Sequence, residues 1–579
     1  MSGARARRAG ASLLEPHRVA LAAILAGAAL LDLNRLSQNG YANIFYAAGV
    51  KSMLHSLHNF LFVSFDPGGL VMVDKPPLAL WLQAASAKVF GFSPLPLMLP
   101  QAILAVLAVG LMYRVLERRC GRPAALAAAL VLAVFPSFVA VSRENGVDTL
   151  MIVLMLLACG AALRAIESAR VRDLCASAVF VGLAFNTKAL AALLVVPAIV
   201  LAYAVCAPGS IARRARALLI AGAVLLPVCA AWITVVELTP ASARPYVGGS
   251  TDNTELGVTF EYNGLGRVGG QTGGPGHIPA GSGAIAHTLP SSLSAHAHAR
   301  PPKAAPSPAP TSGYALGSLA LERTRGDARE LKPVAFAGPP GPLRLFGKGL
   351  GDQGAWLVPL ALIGVLAYGL LILRARARAT DVPDSADVPN APATTDTPQP
   401  HATQGAQEEP RAPRAPARES LPVLIVLGGW FLTEAIVLSA SKGIVHPYYI
   451  SALAPGCAAM AGVGAVSLAR LARVALLATA AAQVVLMRRE HYMVWFEPLL
   501  IAGALVGSLA LITVRRAALA TMGAALCLLL VVPTGYASST WLAPVEGTFP
   551  AAGPRQTAGA GGVGLQGAQL RRVRALVAY

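Results

Sequence analysis

Asp66, Asp74 and Lys75 stand in "FDPGGLVMVDKPPLALW" (65–81), two carboxylates and a cation beside two prolines in an otherwise apolar chain. "SRENGVDTLMIVLM" adds Arg143, Glu144 and Asp148, "GLAFNTKAL" adds Lys188, and "SKGIVHPYY" adds Lys442, His446, Tyr448 and Tyr449. Moving a sugar off a lipid phosphate needs a base for the acceptor hydroxyl proton. It also needs cations, from side chains or a bound divalent metal ion, for the departing phosphate. Taken singly each residue has an ordinary explanation. Asp148 suits a helix N-cap, and Asp74 with Lys75 suits a cap and a snorkelling lysine at a proline-started helix. Their coincidence is what points to function, because charges at membrane depth are costly.

The elements that must position them are membrane helices. The chain has 579 residues, 55% hydrophobic and 13% charged, with mean hydropathy +0.59, which implies an all-α polytopic membrane protein. A crossing takes about 20 mostly apolar residues. Thirteen segments qualify, near 17–35, 96–116, 123–141, 149–166, 173–187, 189–207, 217–236, 354–373, 420–439, 449–468, 472–487, 495–514 and 517–535. The segments 173–187 and 472–487 are the shortest. With the N-terminus inside, the clusters Arg5–Arg8, Arg118–Arg122, Arg170–Arg172, Arg213–Arg216, Arg374–Arg378, Arg470–Arg473 and Arg515–Arg516 all fall on the cytoplasmic side, as the positive-inside rule requires. Arg488 and Arg489 are the exception.

Alternation then puts the loops 37–95, 142–148, 237–353 and 440–448, and the tail after 536, outside, together with every candidate above. "NGYANIFYAAGVKSML" (39–54), with Asn43 and Tyr46, reads as an interfacial helix in the first outer loop. The organisation expected is a transmembrane catalytic module over 1–236, a partly low-complexity outer loop over 237–353 and a helix over 354–373. A Pro/Ala/acid-rich cytoplasmic linker over 376–419, too poor in large apolar residues to fold, leads to C-terminal helices over 420–535 and an outer tail over 536–579. His277, His287, His296 and His298 lack ligand spacing and read as loop. The net charge of +19 is spread in short clusters between apolar runs, which argues against nucleic acid. The seven cysteines form no CxxC pair and imply neither disulfides nor zinc. The basic N-terminus reads as the lead of a retained first helix, and no dinucleotide or P-loop motif has usable context.

The order of "NGYANIFYAAGVKSML", "FDPGGLVMVDKPPLALWLQAASAKVFGFS", "SRENGVDTLMIVLM", "GLAFNTKALAALLVVPA", "RPYVGGSTDNTELGVTFEYNGLGRVGG" and "HPYYISALAPG" resembles the GT-C membrane glycosyltransferases. It is most similar to their bacterial mannosyltransferase-like branch, related to protein O-mannosyltransferases and the lipid A aminoarabinose transferases. The likeness spans about 30–270 and 340–470. It implies a GT-C fold, a polyprenyl-phosphate-linked donor and transfer on the extracytoplasmic face of the bacterial inner membrane. It places Lys75 near the donor phosphate and makes Asp148 a polar or metal-coordinating site residue. Lys188 and Arg143 join Lys75 as candidates for the phosphate, and Asn43, Tyr46, Glu144, His446 and Tyr448 as candidates for the acceptor side or its loops. Many such enzymes carry an early acidic pair where this chain reads Ala42–Asn43. The base is therefore Asp66, Asp74 or Asp148, in that order.

The expected function is transfer of a hexose or pentose from polyprenyl phosphate to an envelope glycolipid, polysaccharide or protein. The competing class is a transporter or flippase for lipid-linked glycans, although the halves show no internal repeat. A noncatalytic scaffold is the third reading.

Overall fold

The computed structural model describes residues 15–270, 337–380, 421–467, 471–513 and 518–554, and the side chains of these apart from 377–380. The histidines at 277–298, the N-terminal basic cluster and the linker from 381 onward lie outside the described residues. Helix α1 (Pro16–Leu33) starts on a proline, which fits the first turn because its missing N–H would have no partner there. The first loop carries three short helices, α2 (Ile44–Met53), α3 (Leu57–Leu61) and α4 (Leu78–Phe90). The side chains of Asn43 and Ser56 cap the first two by accepting from Tyr46 and Asn59 N–H. Helices α5 (Pro94–Cys120) and α6 (Arg122–Ala133) are joined at Gly121, whose φ of 86° favours glycine. Helix α7 (Pro136–Ser142) continues α6 after a 61° bend at Val134–Phe135.

Then come α8 (Asp148–Ser168), α9 (Val171–Lys188), α10 (Val196–Cys206), α11 (Ile211–Leu238), α12 (Val358–Thr380), α13 (Gly429–Ala440), α14 (Ala454–Ser467), α15 (Ala472–Glu490), α16 (Glu497–Thr513) and α17 (Ala518–Ser538). Among the described residues ten stretches are long and apolar enough to cross a bilayer, or eleven if α6 and α7 form one crossing. The thirteen expected segments differ from this set in two places. The segments 173–187 and 189–207 form one helical run, Val171–Cys206. Straight, its 36 residues would extend about 54 Å, nearly twice the roughly 30 Å hydrocarbon core. The run is broken at Ala189, with φ 42°, immediately after Lys188. Helix α15 falls below the apolarity of the others because Arg473, Arg488, Arg489 and Glu490 dilute its alanines.

Helices α8 and α14 are the core; the spans holding them are each 89% buried. Small residues allow close approach there, as is common between membrane helices. Gly462 lies against the backbone of Ala124 and Ala128 on α6, and Gly364 of α12 lies against Met460 and Gly464. The bundle has two chemically distinct ends. At one, Arg119 Nη2 pairs with Glu167 at 3.0 Å and Arg214 Nη1 donates to Ala204 O at 2.8 Å. At the other are the first loop, the start of α8 and the end of α9. Arg488 and Arg489, the exception to the arginine pattern, are neutralised by ion pairs with Glu497 and Glu490. The cysteines are all free thiols.

Candidate active site

Each residue of "RENGV", between α7 and α8, has a separate task. Arg143 is fully buried and donates to Leu31 O at 2.6 Å, Asp32 O at 3.1 Å and Asn34 O at 2.8 Å, satisfying the last carbonyls of α1. Asn145 clamps the first loop: it accepts from Asn43 N at 2.7 Å and donates to Asn43 O at 3.0 Å. Gln83 of α4 donates to Asn145 O at 2.8 Å. Glu144 folds back over Gly146, where any Cβ would collide with its carboxyl oxygen. Asp148 then opens α8 and accepts from Lys188 Nζ at 2.5 Å, with both side chains largely closed to solvent. The kink after α9 delivers that lysine.

The "VDKPP" segment forms the opposite wall. Lys75 Nζ donates to Asp74 Oδ2 at 2.6 Å and to Asn263 Oδ1 at 3.0 Å, and Asn263 Nδ2 donates to Asp74 O at 2.8 Å. The loop 244–270 is thereby fastened to the first loop, assisted by Met72 N bonding to Tyr246 O at 2.8 Å. Asp66 has different work. Its Oδ2 accepts from Leu70 N and Val71 N, each at 3.0 Å, closing the PGG turn.

The third wall is "SKGIVHPYY". Lys442 N and Gly443 N bond to Val268 O and Arg267 O at 2.9 and 3.0 Å, docking this loop on 266–268. Lys188 Nζ then lies 4.9 and 4.6 Å from the Tyr448 and Tyr449 ring centres. The Arg267 guanidinium sits 4.6 Å from the Tyr262 ring and 6.0 Å from Tyr449, while Lys75 is 5.6 Å from Tyr262. The imidazole of His446 packs on Tyr448, Tyr449 and Phe549 at 5.6, 5.2 and 4.7 Å.

The electrostatics tie these walls into one site. His446 is held well below the ordinary imidazole value by burial and by Arg267, Lys188 and Lys75, so it is unprotonated at neutral pH. Burial first, then Asp148, raises Glu144 well above the carboxylate range, with Lys188 opposing. Burial also raises Tyr46, and Asp74, Glu144 and Asp148 add to it. Tyr46 therefore feels both lysine-paired aspartates. The outcome is three cations and two lysine-paired carboxylates around aromatic surface, a chemistry that holds a phosphate and accepts a proton. Among the described residues no three His, Cys, Asp or Glu side chains gather as a metal ligand set. Asp74 and Asp148 are each paired with a lysine.

Of the expected residues, Asp74, Lys75, Glu144, Asp148, Lys188, Tyr46, His446 and Tyr448 converge. Asn43 borders them as the cap of α2. Arg143 does not join the phosphate set, because its guanidinium points to the α1 carbonyls. Asp66 is set apart in its turn. Arg267, Tyr262 and Asn263 were not singled out by sequence reasoning; an arginine in a Gly-rich stretch gives no local signal, and its position depends on the loop at 442–449.

Residues 74–234 match the family described as dolichyl-phosphate-mannose-protein mannosyltransferase. The mannosyltransferase-like protein YycA of Bacillus subtilis (strain 168) is 32% identical over 94% of this chain and 79% of its own. YkcB of the same organism is 32% identical over 79% of this chain and 63% of its own. Among solved structures, ArnT from Cupriavidus metallidurans bound to undecaprenyl phosphate is similar at 16% identity, covering 90% of this chain and 77% of that one, with a TM-score of 0.49. The oligosaccharyltransferase of Archaeoglobus fulgidus in its apo form is similar at 16% identity, covering 88% and 56%, with a TM-score of 0.44.

Proposed function

Because the chain belongs to the bacterial mannosyltransferase-like family of GT-C membrane glycosyltransferases, we propose that it moves one sugar from a polyprenyl-phosphate donor to an acceptor hydroxyl in the cell envelope. The observation that carries this reading is the convergence of Lys75, Lys188 and Arg267 on the aromatic surface of Tyr262 and Tyr449, at the end of the bundle that also holds Asp74 and Asp148. A lipid phosphate leaves as an anion, and preorganised cations in a water-poor site stabilise it well. The matching family's description contains a dolichyl-phosphate sugar, which supports the same donor class with mannose as the first sugar to try. A glycolipid, polysaccharide or protein serves as acceptor.

In the proposed reaction the acceptor O–H gives its proton to the Asp74 carboxylate as its oxygen attacks the anomeric carbon. The bond from that carbon to the phosphate oxygen breaks, its electron pair leaves with polyprenyl phosphate, and the sugar inverts. Asp74 is preferred over Asp148 because its side chain is 21% exposed against 5%, and an acceptor hydroxyl must reach the base. Asp66 is not preferred, since two backbone amides occupy its carboxylate. Lys75, Lys188 and Arg267 receive the phosphate. The arginines at the opposite end support an extracytoplasmic site in the inner membrane with a cytoplasmic N-terminus.

The test is transfer of labelled sugar from polyprenyl phosphate to membrane acceptors by purified wild type and Asp74→Asn. The expected loss in the folded variant is about 10²- to 10⁴-fold, as for removal of a general base. Wild-type protein that binds or moves the lipid without transfer would favour the flippase reading.

A further inference from the structure

Glu144 is a buried carboxyl for which the reaction above has no use. It is 2% exposed, and its Oε2 is closed to solvent with no hydrogen-bond partner among the described residues. Leaving a polar oxygen in that state costs about 1–3 kcal/mol, and the fold goes further to keep it there. Gly146 leaves empty the space that a Cβ would take from the carboxyl. Asn145, between them, is locked to Asn43 by two hydrogen bonds. The side chain is therefore held in place in the loop between α7 and α8, just before Asp148.

The Lys188–Asp148 pair explains what such a group can do. In this structure Lys188 Nζ donates one hydrogen bond, to Asp148 Oδ1. If Lys188 turns to a donor phosphate, Asp148 is left as a buried carboxylate without its cation, which is a costly state. A replacement hydrogen-bond donor beside Asp148 removes most of that cost. We propose that Glu144 is a positioning residue that donates its carboxyl O–H to Asp148 when Lys188 swings to the donor phosphate. No bond is made or broken; one hydrogen bond replaces an ion pair. The groups facing Glu144 are Asp148 of α8, Lys188 of α9 and, from α2, Tyr46, and burial first, then Asp148, raises its carboxyl well above the ordinary carboxylate value, with Lys188 opposing. A glutamine at this position carries an N–H that can donate in place of the carboxyl O–H, whereas alanine has none.

This inference rests on the proposed donor chemistry, and the experiment separates the two. Donor KM and kcat for polyprenyl-phosphate-linked mannose are measured for wild type, Glu144→Ala and Glu144→Gln. The expected result is a donor KM raised about 10- to 100-fold in Glu144→Ala, the loss of one hydrogen bond to a charged group. Its kcat changes less than about threefold, and Glu144→Gln returns to within about threefold of wild type. Glu144→Gln as impaired as Glu144→Ala would overturn the proposal, since an ionised carboxylate would then be required. Wild-type KM in Glu144→Ala would overturn it too. Absence of transfer in the wild type would instead remove the donor reading itself.

Discussion

Glu255→Gln isolates the cost of burying an acid beside the Asp74–Lys75 pair. Glu255 is 2% exposed and, among the described residues, accepts a single long hydrogen bond, 3.3 Å, from Thr259 Oγ1. Burial, with Glu237 and Asp74 adding to it and Thr259 and Lys75 opposing, pushes its carboxyl from the ordinary 4.5 up to about 8. Because the folded-state value is the higher one, this group's contribution to stability is complete below pH 4.5 and is lost as pH rises towards 8. The slope is about 1.4 kcal/mol per pH unit, so the whole loss approaches about 5 kcal/mol, with about 3 kcal/mol a realistic measured figure. Glutamine has nothing to ionise and removes the slope. Denaturant unfolding of the detergent-solubilised proteins from pH 4 to 9 reads the difference, in which all other titrating groups cancel. The variant should gain on wild type steadily between pH 4.5 and 8 and hold a constant lead above. Parallel curves across that range would refute the argument that burial dominates this carboxyl.

Asp66→Ala should lower stability by about 1–2 kcal/mol through the opened turn, yet leave transfer within about threefold; a loss comparable to that of Asp74→Asn would put Asp66 back among the bases. Gly146→Ala should destabilise the protein by about 1–3 kcal/mol by overpacking and raise donor KM, measured by thermal unfolding and saturation kinetics. Arg143→Met should destabilise strongly, by about 3 kcal/mol or more as buried α1 carbonyls lose their donor, while any folded fraction keeps the wild-type donor KM. Arg267→Ala should raise donor KM about tenfold or more. Chelation by EDTA should leave the transfer rate unchanged, consistent with a phosphate held by side chains.

Much of the architecture was legible because membrane helices announce themselves as apolar runs, and the break after Lys188 sits between two of those expected. The site was legible as a side of the membrane rather than as a geometry. Sequence placed Asp148 and Lys188 on one face but not in one ion pair, since that pairing depends on how α9 packs along α8. It read Arg143 as a phosphate ligand because a buried arginine bonded to helix-end carbonyls looks, in sequence, like any other loop arginine. Asp66 has a second role that its motif also allowed: "DPGG" is turn chemistry, and its carboxylate accepts from two amides of that turn. Arg267 was invisible because only the docking of residues 441–443 on 266–268 turns it towards the lysines.

The most direct test of the central claim is to offer the purified protein two labelled mannose donors in parallel, one polyprenyl-phosphate-linked and one nucleotide-linked, with envelope lipids and glycans as acceptors. The account predicts that only the lipid-linked donor is consumed, with one polyprenyl phosphate released per sugar transferred. Consumption of the nucleotide sugar, or binding of the lipid with no sugar transferred, would contradict it.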